Sequence, residues 1–70
     1  MLAQFDYQGF VRVVEPYSLR IRENGRVLLY AFERSNDEAW TGFLKAYLVD
    51  DIVGAEALEV RFRAQWAVEL

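Results

Sequence analysis

The chain has 70 residues, 54% hydrophobic and 16% aromatic, which makes residues 1-70 a single domain with enough apolar mass for a core. It contains no cysteine and no histidine, so disulfides, thiolate chemistry and the commonest general base and zinc ligand are excluded. Eight basic residues against eleven acidic ones give a net charge of −3, the opposite of the balance most nucleic-acid-binding bodies carry.

Met1 to Asp6 has neither a basic start nor an apolar run, so it does not read as a signal peptide. No apolar stretch approaches the ~20 residues that span a bilayer. Cytoplasmic residence without membrane contact is the expectation. Ala3 to Tyr7 and Phe10 to Val14 read as two strands joined through Gln8-Gly9, and Pro16 marks a bend or an unpaired amide in the second.

Asn24-Gly25, between two β-rich runs, is the strongest local signal and predicts a two-residue type I′ hairpin. That loop would set Ile21 opposite Leu28, Leu19 opposite Tyr30 and Tyr17 opposite Phe32, with Glu15 and Arg34 as a closing charge pair. Tyr17 is then expected in the core, with its hydroxyl on a partner. The polar run Glu33 to Glu38 reads as a surface loop, followed by Trp40 and a strand over Thr41 to Val49.

Asp50 to Gly54 reads as one helical or 3₁₀ turn ending at the glycine. From Leu58 to Leu70 the even positions are apolar and the odd ones mostly polar, which predicts a long strand, bent or bulged near Ala64. The fold class expected is mostly β: a small barrel of about five antiparallel strands with one short helical turn.

Arg12-Val13-Val14-Glu15-Pro16-Tyr17-Ser18-Leu19, followed by Gly25 to Phe32, resembles the WYL domain, an Sm-like, SH3-like β-barrel of bacterial transcription regulators. In that family an arginine-rich strand leads through a Glu-Pro-Tyr-like step into a hairpin and the Trp-Tyr-Leu strand. Val27-Leu28-Leu29 stand at the last three positions here. Lys45 to Ile52 occupies the place of the family's Arg-x-Phe-x-x-x-Arg-Ile segment, with Lys45 and Asp51 at its two arginines. The resemblance covers roughly residues 4 to 60. It implies a ligand-sensing module, tied to transcription regulation, that takes nucleotides or single-stranded nucleic acid.

Candidate ligand-binding residues follow from charge and aromatic spacing. Arg20 and Arg22 share a strand face with Ser18, and an i, i+2 pair can hold phosphates or a carboxylate. Phe43, Lys45 and Tyr47 place a cation between two aromatics, a trio suited to stacking a base and pairing its phosphate. Each set also reads as an ordinary strand face with solvated or snorkelling cations. Asp50 and Asp51 point in different directions and lack a third oxygen ligand, so no metal is expected. No phosphate loop or nucleophile elbow occurs, and neither an enzyme nor a cofactor is expected.

Two readings of function remain. One is a binding module for a nucleotide or short oligonucleotide. The other is a structural or interaction barrel, a homodimer or a complex with a protein partner, assembled through Trp66, Val68 and Leu70 on the last strand.

Overall fold

A computed structural model describes residues 1–70. Five strands form one antiparallel sheet: β1 (Ala3–Tyr7), β2 (Phe10–Ile21), β3 (Val27–Asn36), β4 (Ala39–Leu48) and β5 (Ile52–Ala57). Their order across the sheet is β4-β3-β2-β1-β5, and β4 and β5 do not pair with each other. The expected β content and strand count are present; the sheet is open.

Two loops are two-residue turns in which both central residues take positive φ. Gln8 and Gly9 (φ 55° and 82°) connect β1 to β2, and Asp37 and Glu38 (48° and 70°) connect β3 to β4. Asp37 fixes its turn through Val11: its side chain accepts the Val11 amide at 2.7 Å and its own amide donates to the Val11 carbonyl at 2.8 Å.

Asn24-Gly25 is a turn of a different kind. The Gly25 amide donates to the Arg22 carbonyl at 2.8 Å, and the Arg22 amide to the Arg26 carbonyl at 2.8 Å, which makes a three-residue loop. Only Gly25 is left-handed (φ 81°), and the Asn24 side chain accepts the Arg26 amide at 3.0 Å. This is a type I turn closed by a glycine bulge, which Asn-Gly satisfies as readily as a type I′ turn. The register therefore differs from the expected one by a residue. Ile21 faces Val27, Leu19 faces Leu29 and Ser18 faces Tyr30. A bulge follows at Tyr17, beside Pro16, so Tyr17 has no partner on β3.

The polar run is not a loop. β3 continues through Glu33 to Asn36, and Glu33 is fully buried. The 3₁₀ turn spans Val49–Asp51, with Leu48 at its N-cap and no side-chain cap from Asp50. Gly54 (φ 64°) lies inside β5, where the pairing with β1 shifts between Gln4 and Asp6. Residues 58–70 form no strand beyond a single parallel bridge from Glu69 to Ser18.

The sheet curls. Tyr47 of β4 packs edge-on against Phe5 and Tyr7 of β1, with ring centroids 5.0 Å apart in each case. Three strand spacings would separate them by about 14 Å in a flat sheet. The Tyr7 hydroxyl accepts the Leu48 amide at 3.0 Å and holds the curl. The first face of the sheet thus encloses the core: Phe5, Tyr7, Val14, Ala31 and Tyr47. The second face carries Glu15, Ser18, Tyr30 and Phe32, and the C-terminal segment crosses it with Phe62 and Trp66 on Tyr17.

Candidate functional site

The two halves of the expected ligand site lie on opposite faces. Lys45 pairs across β3 with Ala31, which lies in the first-face core. Arg20 pairs with Leu28, and Leu28 with Leu48, three positions from Lys45 and so on the second face. Arg22 sits in the exposed turn after β2. Phe43, Lys45 and Tyr47 do share a face, with the ammonium 5.2 Å from the Phe43 ring centre and 5.9 Å from that of Tyr47. Tyr47, however, is fully buried, and its ring faces Phe5 and Tyr7 rather than solvent.

Lys45 belongs to a buried charge cluster. One oxygen of Glu33, Oε1, accepts Arg12 Nη1 at 2.8 Å and the Tyr47 hydroxyl at 2.7 Å, with Lys45 Nζ 3.7 Å away. Arg12 also donates to the Tyr7 carbonyl at 3.2 Å and lies over the Tyr7 and Phe10 rings. Burial alone would raise the Glu33 carboxyl. The bonds from Tyr47 and Arg12, with smaller help from Thr41 and Lys45, outweigh it and hold the group below the usual glutamate range. Burial, then the Glu33 charge, pushes the Tyr47 phenol well above an ordinary tyrosine. Cations tied this closely to Glu33 are organised for the core.

The second face is only partly covered by the C-terminal segment. Tyr17, Ser18, Arg20, Tyr30, Leu44 and Trp66, with Ala67 and Glu69, line a groove of about 440 Å³. Its floor is set by Tyr17, whose hydroxyl donates to Glu15 Oε1 at 2.6 Å and accepts the Gln65 amide at 3.0 Å. Burial first, and then the Glu15 carboxylate, raise the Tyr17 phenol. Glu15 also takes Gln65 Nε2 at 3.2 Å and lies 3.7 Å from Arg34, the charge pair the sequence implies. At the rim Arg20 Nη2 meets Glu69 Oε2 at 2.6 Å, both side chains half exposed.

Of the expected site residues, only Arg20 lines this groove. Glu33 and Arg12 were legible as core only through phase: Glu33 follows Ala31 by two, and Arg12 precedes Val14 by two. Trp66 and Glu69 depend on how residues 58–70 fold back, for which the sequence holds no local signal.

The β4 edge is the other open feature. It has no neighbour strand along ten residues, carries Lys45 as its single charge, and exposes Trp40, Phe43 and Leu44. Trp40 lies in the strand with its ring against Gly42, and it is still 70% exposed. Comparison with protein-family models, with curated proteins and with solved structures finds no match to this chain.

Proposed function

We propose that the chain is a non-catalytic protein-interaction module that engages a partner in extended form by strand addition along β4. One observation carries this: β4 is a ten-residue unpaired edge with exposed aromatic and aliphatic side chains and one charge. Such an edge offers a row of unpaired backbone donors and acceptors, and natural domains normally blunt it with several charges or cover it. The opposite edge, β5, is broken by its glycine bulge. Charge agrees with this reading. Five of the eight basic residues are already ion-paired, leaving Arg22, Arg61 and Arg63. The simplest partner is β4 of a second copy, and Leu44→Lys on the exposed edge tests it. Sedimentation should show a dimer for the native chain and a monomer for the variant.

The second reading is the ligand-sensing module that the resemblance to WYL domains implies, with a nucleotide or single-stranded nucleic acid as ligand and transcription regulation as its setting. Arg20 at the rim of a groove walled by Tyr30 and Trp66 supports it, since a ring could stack there beside a bound phosphate. The curl that brings β4 onto β1 supports an Sm-like, SH3-like small barrel as the parent architecture. Mononucleotides that shift Tyr30 and Trp66 at low salt, with the shifts lost in Arg20→Glu, would favour this reading over the first.

A further inference from the structure

We infer that the free half of β2 is a docking site for an extended peptide bearing an aromatic residue and, three positions later, a carboxylate. β1 pairs with β2 only as far as Val14, so Glu15 to Ile21 have no neighbouring strand on that side. The bulge also leaves Tyr17 without a partner on β3.

The chain's own C-terminus displays what fits. Glu69 bridges Ser18 in parallel, and its amide donates to the Tyr17 carbonyl at 2.7 Å. Its carboxylate meets Arg20 at 2.6 Å. Three residues earlier, Trp66 lies edge-on to Tyr17 at 5.3 Å and tilted against Phe32 at 6.1 Å. Backbone, charge and aromatic contacts thus converge on one short motif, Trp66-Ala67-Val68-Glu69.

Between Val60 and Glu69 no backbone–backbone hydrogen bond ties this segment to the sheet; its polar anchor there is Gln65, on the Tyr17 hydroxyl and Glu15. Trp66, Val68 and Leu70 stay half exposed or more, and an ion pair open to water, like that of Arg20 with Glu69, is weak. A partner segment of the same pattern makes the same contacts in trans. Arg20 selects a carboxylate at the fourth position, and Tyr17 with Phe32 selects a flat ring at the first. Leu44 borders both this groove and the β4 edge, but the backbone pairing on β2 and the Arg20 contact do not involve β4, so substitutions at Arg20 and Glu69 test this site alone.

The test uses the full chain carrying Glu69→Lys, which sets a cation against Arg20 and releases the segment. The free peptide Gln-Trp-Ala-Val-Glu-Leu is titrated in, with amide shifts read at Tyr17, Ser18 and Arg20. Saturable shifts are expected, weakened about tenfold when the peptide's Glu becomes Gln or its Trp becomes Ala. Adding Arg20→Gln, which cannot pair with the lysine introduced at position 69, should weaken binding and leave the peptide's Glu and Gln forms equally bound. If Glu69→Lys fails to fold, excess peptide on the native chain should move the Trp66 amide to the position of an unstructured segment. Absent shifts, or shifts indifferent to both peptide substitutions, overturn the proposal.

Discussion

Arg12 and Glu33 form an ion pair at 2.8 Å in which neither side chain reaches solvent, on a chain whose sequence places Glu33 inside its most polar run. The remaining polar atoms, Arg12 Nε and Glu33 Oε2, have no hydrogen-bond partner. Cutting such a pair from one side leaves a buried charge uncompensated, at a cost of about 3–5 kcal/mol. Arg12→Met should therefore unfold most of this small domain. Replacing the whole bonded set, as Arg12→Met with Glu33→Leu and Tyr47→Phe, should recover much of the loss, because no buried polar group of the set is left unpaired. Urea titration of the three chains checks the prediction.

The same carboxylate makes stability fall in acid. Its folded pKa lies below the usual glutamate value of about 4.3, so the unfolded chain takes up the proton first as pH drops. The Glu33 contribution is whole above that value and is lost as pH falls through the lower, folded one. Unfolding midpoints measured from pH 6 down to pH 2 should show this slope, and Glu33→Gln should flatten it.

Tyr47 and Tyr17 act at the other end of the scale. Both phenols are raised in the folded chain, so the unfolded chain ionises first, near the ordinary tyrosine value of about 10. Stability should be full below that pH and decline above it. Phenolate absorbance should rise together with unfolding, and Tyr17→Phe should remove part of the alkaline slope.

Gly42 and Gly25 separate steric from conformational cost. Both have positive φ, so alanine is strained at either position by roughly 1 kcal/mol. At Gly25 an added Cβ meets open space, whereas at Gly42 it would lie 2.8 Å from the Trp40 ring. Gly42→Ala should therefore cost more than Gly25→Ala and change Trp40 fluorescence. Equal costs would mean that the Trp40 ring moves aside freely.

The first four strands were legible because apolar runs and turn residues mark them directly; the fifth was not, since Ile52 to Gly54 reads as part of a turn and the alternation places the last strand over 58–70. The register was not, because Asn24-Gly25 suits two turns that differ by one residue and both keep an apolar face. Glu33 was harder to read: its neighbours Arg34 to Glu38 are polar, so only its alternation with Ala31 hints at the core, and the groups that satisfy its carboxylate, Arg12 and Tyr47, lie on the flanking strands β2 and β4, far from it in sequence. The alternation from Leu58 to Leu70 describes a two-faced ribbon, but a strand needs a neighbour for its backbone, and β2 offers this segment one bridge. Arg20 and Lys45 were joined on charge alone; sheet alternation puts them on opposite faces.

Amide hydrogen exchange along β4, followed as protein concentration is raised, tests the proposed function most directly. Outward-pointing amides between Ala39 and Ala46 should gain protection as a dimer forms, and Leu44→Lys should abolish the gain while β1 and β2 stay protected. A chain that remains monomeric at millimolar concentration, with those β4 amides exchanging freely throughout, would contradict it.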